Sequence, residues 1–290
     1  MLRPISIALA LIGAVLSSSA SAQGLIWSLP EDGKWVRFEG TYKQTEVRTN
    51  SNEGPLPLEW AQHITIKSVG KEDADYKGQK VPCRWVEIKV ATGRVDQGTI
   101  DTGTAGERIY KVLIPESAVR GKVVDDRKLP VSHLPIIKGF RKINGKEPMP
   151  KPITSRVLQV YPVLALLRDF KELEESPGSE SVLVDKDTVE AKEFKGVLEQ
   201  ESPTTRYNQE AKFFRSEQVP FGLARWTASI NQERKAEAEP RSAFKPVSEI
   251  KIEMAAREIG NDAKSELITD AAPAAAPAAE APPANDAAAQ

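Results

Sequence analysis

Cysteine is almost missing from this chain. Cys83 is the only one in 290 residues. No intramolecular disulfide is possible, so stability must come from core packing, which this length supplies without staples. Cys83 lies in Val81-Pro82-Cys83-Arg84-Trp85-Val86, the start of an expected strand, and reads as a small buried hydrophobe rather than a reactive thiol. Histidine is nearly as scarce, with only His63 and His133. One cysteine and two distant histidines have no metal-ligand spacing. A Ser-His-Asp triad would have to use one of the two, but no Gly-x-Ser-x-Gly elbow accompanies them. His63 reads as the polar face of a strand and His133 as loop. No glycine-rich phosphate loop or dinucleotide fingerprint occurs. The sequence therefore calls for no cofactor, no metal and no catalytic set. An excess of one charge is missing too. The formal net charge is −1, which gives no field to attract nucleic acid or anionic lipid.

Long apolar runs are missing with one exception, at the start. Arg3 precedes an apolar run from Ile5 to Leu16, and Ala20-Ser21-Ala22 is a small-x-small cleavage site. This is the pattern of a secretory signal peptide over residues 1–22, too short for a membrane anchor. The mature chain is expected to begin near Gln23 and to be exported, periplasmic or extracellular. No later stretch reaches the ~20 apolar residues of a spanning helix. At the other end, residues 269–290 are rich in Ala and Pro and hold no aromatic residue. That composition cannot bury a core, and the tail is expected to be disordered. Residues 23–268 remain as a single β-rich domain.

The body reads mostly as strand. In Trp35 to Glu46, Val36, Phe38 and Tyr42 alternate with Arg37, Glu39 and Lys43, and Gly40 suggests a bulge. Trp60 to Val69, Cys83 to Val90 and Arg108 to Ile114 are further expected strands. Lys71 to Lys80 reads as a hairpin turn and Gly93 to Gly106 as loop. Pro115 to Pro152 has no sustained period. After it, Ser155 to Leu173 carries Val157, Leu158, Tyr161, Leu164, Leu167 and Phe170 at helical spacing. A long apolar helix is expected there, ended by Glu174-Glu175-Ser176-Pro177-Gly178. Strands resume over Ser181 to Asp185, Val189 to Gln200, Tyr207 to Ser216 and Leu223 to Ile230. Val247 to Ile259 suits either strand or helix. The fold class is α+β, mostly antiparallel β: a curved sheet or incomplete barrel with one long apolar helix packed against it.

Three stretches, Gly24 to Gly40, Leu158 to Leu167 and Arg215 to Trp226, together resemble an uncharacterised family of exported proteins from planctomycete-type bacteria. The resemblance implies no activity and carries over no functional residue. The strand–helix–strand order is also similar in architecture to the lipoprotein-carrier fold, an incomplete barrel around a helical lid.

The sharpest local motif is Thr99-Ile100-Asp101-Thr102-Gly103-Thr104. It resembles the Asp-Thr-Gly loop of aspartic proteases, in which two facing aspartates share a proton. The chain has one such loop, so only a homodimer would complete the pair. The apolar-apolar-Gly element that should follow is off by one residue in Ile136-Ile137-Lys138-Gly139. A polar turn between strands explains the motif as well, with Asp and Gly supplying turn geometry. The carboxylates Glu172, Glu174 and Glu175 read as a solvated helix end. Trp27, Trp35, Trp60, Trp85 and Trp226 lie in or beside expected strands. They serve either as packing or as the lining of a cavity for an acyl chain or similar ligand. Lys212-Phe213-Phe214-Arg215 reads as one alternating strand rather than a nucleic-acid platform. The leading expectation is an exported non-catalytic protein that binds a hydrophobic small molecule or an envelope protein in a curved-sheet cavity. The alternatives are a dimeric aspartic-protease-like hydrolase using Asp101 and a structural envelope protein without a small ligand.

Overall fold

Alternation in the first strand decides the architecture, because that strand becomes the centre of the sheet. The computed structural model describes residues 25–48, 52–96, 99–119, 135–154 and 172–268. The strands are β1 (Trp35–Glu46), β2 (Leu56–Tyr76), β3 (Gln79–Asp96), β4 (Thr99–Asp101), β5 (Arg108–Pro115) and β6 (Lys138–Ile143). They continue as β7 (Lys151–Pro152), β8 (Glu172–Val184), β9 (Asp187–Glu201), β10 (Thr205–Arg215), β11 (Leu223–Arg234) and β12 (Lys245–Gly260). They form one sheet in the order β7-β6-β5-β3-β2-β1-β12-β11-β10-β9-β8, with β4 paired to β3 off this path. Each pairing is antiparallel. Two meanders result, one running outward from β1 and one returning to it through β12. The β1–β12 pairing is the seam between them. The sheet is open, with β7 and β8 at its edges, and β8 curls back against β12 and β11.

The alternating apolar residues meet in rows across the strands. Phe194 of β9, Phe213 of β10, Trp226 of β11, Met254 of β12 and Gly40 of β1 are successive register partners. Phe38 packs edge-on against Trp226, with ring centroids 4.8 Å apart. The segment before β1 lies over this row: Leu25 and Ile26 are fully buried, and Trp27 meets Phe194 at 5.3 Å and Phe213 at 5.9 Å. The Trp27 backbone N–H donates to the Phe221 carbonyl at 2.9 Å, and Phe221 itself is buried with φ +65°. Side chains at that φ are strained, so packing must hold the bend after β10.

The other face of β2, β3 and β5 is covered by the chain that follows β12. Glu87 is fully buried there. Its carboxylate accepts from the backbone N–H of Glu266 at 3.0 Å, the N–H of Leu267 at 3.2 Å and the Ser265 hydroxyl at 2.7 Å. Leu267 is buried, as are Ile109 and Leu113 of β5. The Glu266 carboxylate pairs with Lys67 of β2 and Lys89 of β3, and the Asp262 carboxylate accepts from the Trp35 indole N–H at 2.8 Å. Residues 261–268 thus form a strap across the sheet.

Two titrating groups, Glu266 of the strap and Lys89 beneath it on β3, bound its pH window. Burial pushes the Glu266 carboxyl up, but hydrogen bonds from Lys67 and Lys89 outweigh this and hold it below its ordinary 4.5. Burial pushes Lys89 down, but Glu266 and Glu107 outweigh that and hold it above its ordinary 10.5. Glu266 therefore contributes stability above pH 4.5 that is lost as pH falls through its lowered folded value. Lys89 contributes below pH 10.5 and loses its share as pH rises through its raised value. The Leu267 amide resonance is expected to hold its shift between these limits and to move toward its random-coil position outside them. A shift that drifts steadily through neutral pH would contradict this pairing.

Several expectations are corrected. No α-helix occurs among the described residues. Most of the expected helix, residues 155–171, lies outside them, and its described end, Glu172 and Leu173, is strand. Glu174 to Gly178 does not terminate a helix but runs on through β8, with a register irregularity against β9 between Glu175 and Ser179. Cross-strand pairing overrides the local preference there. Lys71 to Lys80 is not a broad turn. Both strands run on, and only Lys77 and Gly78 turn, at φ +53° and +80°. A two-residue turn with both φ positive matches the twist of the flanking strands, which is why the charged stretch pairs to its tip. Gly93 to Gly106 contains the end of β3 and β4 rather than loop alone. The β1 irregularity falls between Arg37 and Phe38, not at Gly40. Val247 to Ile259 is strand, within β12.

Candidate functional site

Opposite ends of the main face differ. Around Trp27 the face is filled with side chains. At the other end, Tyr42 of β1 and Trp60 of β2 are direct register partners, with ring centroids 5.5 Å apart and planes tilted by 52°. Beside them the sheet folds over on itself. β3 parts from β2 after Gly93, and β4 turns back to pair with its last three residues, placing Asp101 opposite Arg94. Gly93 makes this possible: a Cβ there would stand 1.9 Å from the Asp101 carbonyl oxygen. The chain then turns through Gly103–Ala105 into β5. The result is a pocket of about 480 Å³, lined by Tyr42, Trp60, Arg94, Asp101, Thr104 and Arg108, with Gln44 and Thr92 also on its wall. That volume is within the range of small-molecule sites.

Polar groups ring the two aromatic side chains. Tyr42 is buried, and its hydroxyl donates to Gln44 Oε1 at 3.2 Å. Trp60 is only half-buried and packs at the margin of the core. Thr92 Oγ1 accepts from Gln62 Nε2 at 3.1 Å. Arg94 is exposed and makes no ion pair or side-chain hydrogen bond among the described residues. Most other described arginines are engaged, as Arg37, Arg84, Arg206 and Arg225 are with glutamates. The site therefore offers an aromatic surface, an unengaged guanidinium and a carboxylate.

Asp101 is exposed, and its Oδ1 accepts from the Gly103 N–H at 2.8 Å. This is the turn geometry that the Asp-Thr-Gly sequence suits. The expected downstream partner is elsewhere: Ile136 to Gly139 leads into β6, where Gly139 is nearest Ile153, Ile136 and Val112. His63 lies on the opposite face from Tyr42, 3.8 Å from Glu39, and burial lowers its pKa despite the opposing pull of Glu39. His133 lies outside the described residues. Cys83 is buried, with its thiol 3.3 Å from the Val81 carbonyl, and burial pushes its pKa up. No cluster of potential metal ligands occurs among the described residues.

The five tryptophans divide by role. Trp27 and Trp226 are core. Trp35 bonds the strap, and Trp85 stacks on Phe140 beneath Lys111 and Lys138. Trp60 alone among them lines the pocket. Lys212 to Arg215 is one strand whose two phenylalanines are both buried, and Arg215 sits over the Trp27 ring rather than beside an open aromatic platform. Glu175 pairs with Lys192 on β9. The expectations for Glu172 and Glu174 fall on side chains outside the described set. No described helix is long and apolar enough to cross a membrane. Sequence reasoning singled out Trp60 and Asp101 separately but not Tyr42, Arg94 and Arg108 as their neighbours. It also missed Glu87, whose place between Val86 and Ile88 looks like an ordinary solvent position. Neither a family model nor a curated protein matches the sequence.

Proposed function

We propose that the protein is an exported, non-catalytic binding protein whose small amphipathic ligand seats in the pocket at the Tyr42–Trp60 end of the sheet. The observation that carries this reading is the half-buried Trp60 ring at a concave site where arginine, aspartate and threonine side chains converge. Concave sites with an apolar floor and a few polar groups are the usual form of small-molecule sites. The reading departs from a buried acyl-chain cavity because Trp27, Phe194, Phe213 and Trp226 already fill the apolar interior. Asp101 serves as a wall and turn residue in it. The leader-like residues 1–22 support export, and the Ala/Pro-rich tail supports a spacer role toward the envelope.

Native mass spectrometry of protein purified without detergent from its own envelope tests the reading. The wild type is expected to carry a stoichiometric small molecule, and Trp60→Ala to bind it at least about fivefold more weakly, since stacked aromatic contacts contribute about 1 kcal/mol or more. A bare wild-type polypeptide mass would instead favour the structural envelope role.

A further inference from the structure

We infer that the ligand of this pocket is an acidic saccharide, a sugar whose ring stacks on Trp60 and whose carboxylate pairs with Arg94; the inference rests on the pocket being a binding site. Three observations point the same way. First, the aromatic floor is small and bordered by polar groups, with Arg94, Arg108, Asp101, Thr102, Thr104 and Gln44 around it. An acyl chain gains nothing from such a border and would strip water from it. A sugar ring has an apolar C–H face for the aromatic surface and hydroxyls at its edge for the polar border. Second, the border mixes donors and acceptors. Asp101 commits Oδ1 to the Gly103 N–H, which leaves Oδ2 to accept from a ligand hydroxyl. Arg94 and Asp101 are register partners, so a ligand that only accepts, such as an inorganic anion, has nothing to donate to the Asp101 oxygen beside it, whereas a sugar acid can place its carboxylate on Arg94 and a hydroxyl donor on Asp101. Third, Arg94 stands beside this border without a partner of its own among the described residues. Its planar fork matches a carboxylate in a bidentate pair.

The pairing is exposed, so its strength should fall with salt, while the stacking should not. Arg94 thus sets preference among sugars, and Trp60 sets whether any sugar binds. Asp101 orients the ring through its free oxygen and sets a distance limit between the carboxylate and the hydroxyls.

The test is titration calorimetry of the full chain with three probes: a galacturonic acid disaccharide, the neutral galactose disaccharide of the same linkage, and lauric acid. The acidic disaccharide is expected to bind up to about fivefold tighter than the neutral one at low salt, as one exposed ion pair would give. Arg94→Gln should remove that preference, bringing the acidic disaccharide to the affinity of the neutral one. Because Arg94 is exposed and has no partner among the described residues, this variant should melt with the wild type, which guards against a folding artefact. Equal affinity for the two disaccharides overturns the inference, as does a preference that survives Arg94→Gln. Binding of lauric acid alone, lost in Trp60→Ala, overturns the inference but upholds the pocket. No binding by any probe overturns the saccharide class, and a wild type that also carries no native ligand overturns the pocket as a site.

Discussion

Replacing Glu87 with alanine is expected to release the strap and lower unfolding stability by about 3 kcal/mol, the range for removing one member of a buried charged network. Glu87 is fully buried on the strap-covered face and holds two backbone N–H groups and a hydroxyl. With the carboxylate gone, those donors lose their acceptor, and undocking becomes the cheaper state. Undocking also exposes Leu267, whose burial contributes about 2 kcal/mol. The loss has a ceiling, because the strap cannot take away more stability than its docking supplies. A chain ending at Gly260 separates the terms. In it Glu87 faces water, so Glu87→Ala should there cost less than about 0.5 kcal/mol, the usual range for an exposed site. Urea titrations of the four proteins form a double-mutant cycle, and a coupling energy near zero would show that Glu87 does not hold the strap.

The strap also marks where sequence reasoning stopped. Strand alternation was legible wherever one face met the core, as in Val36-Phe38-Tyr42 and in Val86-Ile88-Val90, because burial enforces a period of two. Glu87 obeys the same alternation as a solvent residue would, and only the return of residues 261–268 from the far end of the chain buries it. Nothing local signals that return. The pocket was illegible for a similar reason. Trp60 and Asp101 are forty-one positions apart in sequence. They share a wall only because β4 folds back onto β3 beside the Gly93 gap. In the Asp-Thr-Gly motif the Gly103 N–H donates to Asp101 Oδ1, a local turn hydrogen bond that these residue types favour. The helix expected over Ser155 to Leu173 lies mostly outside the described residues; its last two, Glu172 and Leu173, begin β8, where pairing with β9 decides the conformation.

The seam between the two meanders makes the second large prediction. Gly40 and Met254 face each other across the β1–β12 pairing, and a Cβ on Gly40 would stand 1.8 Å from the Glu253 carbonyl oxygen and 2.7 Å from the Met254 sulfur. Methionine can swing aside, but the carbonyl belongs to the ladder. Gly40→Ala must therefore push β12 away or twist β1, and either change breaks hydrogen bonds at the pairing that joins the two halves. The expected cost is about 3 kcal/mol or more, at the upper end for overpacking because backbone must move. Gly145→Ala is the comparison. Its φ is +77° and its Cβ would meet nothing within 4 Å, so only conformational strain of about 1 kcal/mol applies. Hydrogen exchange should distinguish the causes. Gly40→Ala should weaken protection in β1 and β12 first and leave the β2–β3 hairpin protected, whereas uniform loss across the sheet would mean that the seam is no weaker than its neighbours. The Trp226–Phe38 contact spans the same seam, so its rings should lose their fixed packing in step with the β1 and β12 amides.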